Sequence, residues 1–174
     1  MNLFRRTPKD VRTFRLEGPI TDETANQCIA MLLFWRMENP REPGRIEIDS
    51  PGGSVTATLA ILDTMAFVGY PIHTHCPNYA YASAALILAR GTKGFRSAGK
   101  TATIAQSPVT GGIENSTADP EKVVEFMIKL RNRVIDEFRN ATDQTREEIT
   151  EAQEHERVFS AGEALACGYI DHIT

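Results

Sequence analysis

The chain has 174 residues, a length that suits one domain with a sizeable core. Its formal net charge of −4 offers no basic footprint for nucleic acid, and no apolar run approaches the length that crosses a membrane. Cys28, Cys76 and Cys167 are odd in number, widely spaced and outside any CxxC or Cys/His cluster, which argues against a disulfide framework and against zinc.

Met1 to Asp10 carries charge with no apolar stretch, so it does not read as a signal peptide, and a cytoplasmic location follows by default. Residues 1–12 read as a short arm and 13–174 as a single domain. Thr13-Phe14-Arg15-Leu16 alternates as a strand that Gly18-Pro19 ends. Thr21 or Asp22 caps a helix over about 22–38, whose apolar positions Ala25, Cys28, Ile29, Leu32 and Trp35 recur at threes and fours. After Asn39-Pro40 and Pro43-Gly44 comes the strand Ile46-Glu47-Ile48. It leads through Ser50-Pro51-Gly52-Gly53 into a helix from Val55 to about Phe67. Glycine there allows positive φ and close backbone approach, and amides at a helix start have no internal acceptor and can hold an oxyanion.

Ile72-His73-Thr74-His75-Cys76 alternates as a strand. His73 and His75 share one face of it, a spacing that could serve a metal, but nothing else in the sequence supports one. Pro77-Asn78 turns the chain, and a small-residue helix is expected from Ala80 to Arg90. Phe95-Arg96 and Thr101 to Ala105 read as two short strands, and Ser107 to Thr117 as a loop holding Gly111-Gly112. Asp119-Pro120 opens the longest helix, about 120–140, with the stripe Val123, Met127, Leu130, Val134 and Phe138. A capped helix starts near Thr145, Ser160 opens a shorter one that Gly168 closes, and Tyr169 to Ile173 reads as a terminal strand. Strands and helices in alternation predict an α/β fold with largely parallel strands and right-handed crossovers in a superhelical stack.

Several runs in this order resemble one family. They are Glu17-Gly18-Pro19-Ile20, Asn39-Pro40, Ile48-Asp49-Ser50-Pro51-Gly52-Gly53, Asp63-Thr64-Met65, Gly91-Thr92-Lys93-Gly94-Phe95-Arg96, Gly111-Gly112, Phe159-Ser160-Ala161-Gly162-Glu163-Ala164 and Gly168-Tyr169-Ile170-Asp171. Together they are similar to the proteolytic subunit of Clp protease. The resemblance implies a Clp/crotonase-type superhelical stack of ββα units in a single domain. It also implies heptameric rings stacked about a proteolytic chamber, a Ser-His-Asp triad in each subunit and no cofactor. An AAA+ unfoldase would dock on the ring face, and the long helix would join ring to ring.

The triad positions depart from that pattern. With Cys76 and Gly91 held fixed, the nucleophile position is Ala82 and the serine, Ser83, stands one place later. The same gap-free register puts Ser107 at the histidine position and Glu156 at the aspartate position. Alanine has no nucleophilic atom, and a serine hydroxyl is no base near neutral pH. Nucleophile and base act as a unit, so the covalent route is expected to be lost. Gly53 matches one oxyanion-hole residue and Ser83 its partner. The expectation is a degenerate, pseudo-protease subunit with a structural or regulatory role, as a homo-oligomer or in a mixed ring with an active paralogue. An active arrangement of Ser83 with His155 and Glu156 is the alternative. A Ser/Lys dyad would need Lys93 or Lys100 near Ser83 or Ser107, and an acyl-group-binding, crotonase-like protein is a further reading. Only about a dozen residues precede Thr13, where the family has a longer segment used in docking, and this puts the AAA+ unfoldase in doubt.

Overall fold

The computed structural model describes residues 12–110 and 119–174, so the arm over 1–11 and the Gly111-Gly112 pair lie outside it. Along the chain come β1 (Arg12–Glu17), α1 (Asp22–Glu38), β2 (Gly44–Asp49), α2 (Val55–Val68), β3 (Ile72–Cys76), β4 (Tyr79–Tyr81) and α3 (Ser83–Ala89). There follow β5 (Arg96–Ala98), β6 (Thr103–Ala105), α4 (Pro120–Ala141), α5 (Arg146–Glu154), β7 (Val158–Ser160), α6 (Ala161–Ala166) and β8 (His172–Ile173).

Helix starts follow their caps. The Thr21 hydroxyl accepts the Thr24 N–H, Ser54 accepts from Ala57, and Thr145 and Ser160 form reciprocal boxes with Glu148 and Glu163. Asp119 caps α4, with Pro120 in the first turn, where its missing N–H costs nothing.

Five strands pair in the order β1-β2-β3-β5-β8, all parallel. A second sheet, β4-β6-β7, is parallel between β4 and β6 and antiparallel between β6 and β7. The result is a mixed, mainly parallel α/β fold of one domain, as the alternating pattern predicts. Alternate residues of β2 and β3 face the core: Ile46, Ile48, Ile72 and Cys76 are buried. All seven residues of α3 are buried, and this helix touches α2, α4, β2, β3 and β4. Ala84, Ala85 and Ala89 let so many neighbours approach at once.

Two expectations need correction, and one strand was not expected. Ala80 and Tyr81 belong to β4, not to the following helix, because Tyr79 to Tyr81 pair with Thr103 to Ala105. Tertiary pairing outweighs the local preference of a small-residue run. β7 was not foreseen, since three residues carry too little periodicity to be read. The terminal strand is shorter than expected: only His172 and Ile173 pair, and the Tyr169 N–H donates to the Ala164 carbonyl of α6 instead of to a strand.

Candidate functional site

Two sharp strand-to-helix corners meet at one end of the sheets. The first is Ser50-Pro51-Gly52-Gly53. Buried Ser50 donates its hydroxyl to the Gly18 carbonyl at 2.6 Å and accepts the Gly52 N–H at 3.1 Å. The Ile20 N–H donates to the Gly52 carbonyl and the Ser54 N–H to the Ile20 carbonyl, which presses Gly53 against the Ile20 backbone. A Cβ at Gly53 would collide with the Ile20 carbonyl oxygen, and Gly52 sits at φ 88°, so both glycines are required.

The second corner is Ala82, between β4 and α3. Its φ of 49° and ψ of −119° lie outside the regions that an L-residue occupies at ease. Its N–H donates to the Ala105 carbonyl at 2.9 Å, so the β4–β6 pairing holds the strain in place. A turn of this shape lifts its side chain clear of the sheet at the start of a helix, as the nucleophile elbow of hydrolases does. Among the described residues one other non-glycine has positive φ, Glu156 at 50°.

The β6–β7 ladder supplies the opposite wall. Ala105 pairs with Val158 and the Gln106 N–H donates to the Arg157 carbonyl, so the same register carries Ser107 to the position facing Glu156. Pro51 and Gly53, Val55 and Thr58 of α2, the start of α3, Val134 and Phe138 of α4, and the end of α5 complete a cleft of about 270 Å³. The fold thus brings Gly53, Ala82, Ser83, Ser107 and Glu156, distant in sequence, around one space.

His155 is not among the lining residues; it ends α5 and is exposed. Lys93 stands 3.9 Å from Asp143, and neither it nor Lys100 lines the cleft. Ser83 is 7% exposed, and its Oγ accepts the Gly53 N–H at 3.0 Å. The two residues expected as an oxyanion pair are therefore bonded to each other, with the Gly53 donor occupied by a hydroxyl of the same chain. Among the described residues no histidine lines the cleft. A methyl group, two hydroxyls and a carboxylate cannot relay a proton as a serine–imidazole pair does.

One lining residue was missed from the sequence. Gln153 is 2% exposed, and neither atom of its side-chain amide has a hydrogen-bond partner among the described residues. The available signal was its place four residues after Ile149, on the buried face of α5, where a polar residue calls for a reason.

Elsewhere the histidines have local roles. His75 Nδ1 lies 2.9 Å from the Ser97 hydroxyl and His73 stacks on Phe95; burial first, then the Arg45 charge, holds both rings below the usual imidazole range. Among the described residues no group of three His, Cys, Asp or Glu side chains could hold a metal, and no helix is long and apolar enough to cross a membrane.

A strained elbow beside a glycine corner, with Ser107 and Glu156 on a facing ladder, resembles the strand-turn-helix layout of hydrolase nucleophile elbows. The family model described as Clp protease matches residues 4–174, and the chain belongs to the Clp protease family. It is 36% identical over 173 residues to the ATP-dependent Clp protease proteolytic subunit 2 of Chlamydia trachomatis serovar D, covering 99% of this chain and 85% of that one. Subunit 2 of Chlamydia pneumoniae is 35% identical, with the same coverage. Subunit 1 of Chlamydia felis is 34% identical, again over 99% and 85%.

Proposed function

We propose that this chain is a ring-forming subunit of the Clp protease type that has lost peptide hydrolysis and keeps a structural or regulatory role. It acts in the cytoplasm, as a homo-oligomer or beside an active paralogue. The observation that carries this reading is the elbow itself. Ala82 has a strained, elbow-like backbone but only a methyl side chain, in a cleft that no histidine lines among the described residues. The neighbouring Ser83 hydroxyl is engaged with the Gly53 N–H and does not replace a nucleophile there.

The assembled state has its own support. The N-terminal half of α4 leaves Val124, Phe126 and Ile128 exposed, while its C-terminal half buries Val134, Ile135 and Phe138 against the core. Val124 and Ile128, one helical turn apart, and Phe126 expose bulky apolar groups that a partner surface would cover.

The test combines a fluorogenic peptide with a serine-reactive fluorophosphonate probe on the full chain. No turnover and no labelling are expected. Labelling that Ser83→Ala abolishes, with turnover that His155→Ala abolishes, would replace this reading with that of an active peptidase.

A further inference from the structure

Resting on the reading that the cleft does not cut what it holds, we infer that it receives a primary carboxamide on a small branched apolar body, selected by Gln153. Gln153 belongs to the last turn of α5, lines the cleft and is 2% exposed, yet its amide oxygen and nitrogen are both unpaired among the described residues. Buried polar atoms are almost always bonded, so an amide left open on both sides beside a cavity marks the place of a missing partner.

The shape of the amide specifies that partner. A glutamine side chain presents an N–H and a C=O along one edge. A primary carboxamide presents the same edge reversed, so the two close a pair of hydrogen bonds. A trans peptide group has its N–H and C=O on opposite sides and can satisfy only one of the two. A carboxylate brings acceptors alone, which leaves the Gln153 oxygen unpaired, and it meets the Glu156 carboxylate on the same wall. The apolar part of the ligand faces Val55, Leu86, Val134 and Phe138, in a space of about 270 Å³ that suits a leucine-sized group. The carboxamide comes either from a free amide or from an asparagine or glutamine side chain of a polypeptide.

Calorimetric titration of the full, assembled chain separates these cases. N-acetyl-leucinamide is expected to bind roughly tenfold or more tightly than N-acetyl-leucine, which differs by carrying a carboxylate. A peptide with glutamine between two leucines, acetylated at one end and N-methylamidated at the other, carries its one primary carboxamide on the side chain. Its binding identifies a polypeptide source, and binding of the leucinamide alone identifies a free amide. Gln153→Met is expected to weaken binding roughly tenfold, with a thermal melt to verify the fold. Since a buried replacement can itself perturb α5, the comparison of amide with carboxylate is made on the unaltered protein as well. Equal affinity for the two, or no binding of either amide, overturns the inference. Mass spectrometry of the recovered peptide keeps the two readings apart: cleavage overturns the loss of hydrolysis, whereas an intact peptide with no binding of either amide overturns the carboxamide site alone.

Discussion

Replacing Asp171 with asparagine tests what holds the cleft wall in place. Arg96, 3% exposed, is the hub. Its Nη1 donates to the carbonyls of Ala89, Ala141 and Gly168 at 3.0, 2.8 and 2.7 Å, the closing residues or turns of α3, α4 and α6. Its Nη2 and Nε donate to the Asp171 carboxylate at 2.6 and 2.9 Å, and the Gly94 and Arg96 backbone N–H groups donate to the same carboxylate. These hydrogen bonds, those from the Arg96 side chain foremost, lower the Asp171 pKa from 3.8 to about 2. The folded value lies below the unfolded one. Ionised Asp171 therefore stabilises the fold fully above about pH 4, and this contribution is lost as the pH falls towards 2. The linkage amounts to about 2 kcal/mol, allowing for the partial exposure of the carboxylate. Asp171→Asn keeps one acceptor but sets an NH₂ group against an arginine donor and leaves a buried cation unpaired. We expect a loss of about 3 kcal/mol, the lower end for a broken buried pair. For a chain of this length that lowers Tm by roughly 6–12 °C at fixed protein concentration. Thermal melts between pH 2 and 7 are the assay: the two proteins should converge at the acid end. A Tm change under about 2 °C at neutral pH, or a difference independent of pH, would refute the reasoning.

Two further substitutions probe the elbow and the long helix. Ala82→Gly should raise stability by about 1 kcal/mol, or roughly 2–4 °C in Tm. Relief of 1–3 kcal/mol of strain exceeds the entropy that glycine adds to the unfolded chain; a clear loss of stability would show that the Ala82 backbone is not strained. Phe126→Glu with Ile128→Glu should reduce the assembly to smaller species in light scattering or native mass spectrometry, with helix content kept. An unchanged mass would sever α4 from the assembly.

Much of this molecule was legible in its residues. The caps at Thr21, Ser54, Thr145 and Ser160, the alternation in β1 to β3 and the stripe of α4 are local signals, carried by spacing and short-range hydrogen bonds. The Pro51-Gly52-Gly53 corner was legible too, because few residues tolerate such a turn. β4 and β7 were not: three residues contain little periodicity, and both exist because β6 offers them a ladder. The same holds for the cleft. Ser107 and Glu156 are far apart in sequence and meet only through the β6–β7 register. Nothing local in Gln153 or Ser83 says that one amide stays unpaired or that the other residue's hydroxyl takes the Gly53 N–H.

By itself the sequence determined the α/β class, the family and the placing of alanine at 82 and serine at 83 and 107. Those follow from residue identity and spacing. The tertiary structure decided that Ala82 keeps a strained elbow, that His155 stands outside the cleft, and that Ser83 closes over the glycine corner. These depend on how separate strands and helices meet in three dimensions, which no stretch of the chain encodes alone.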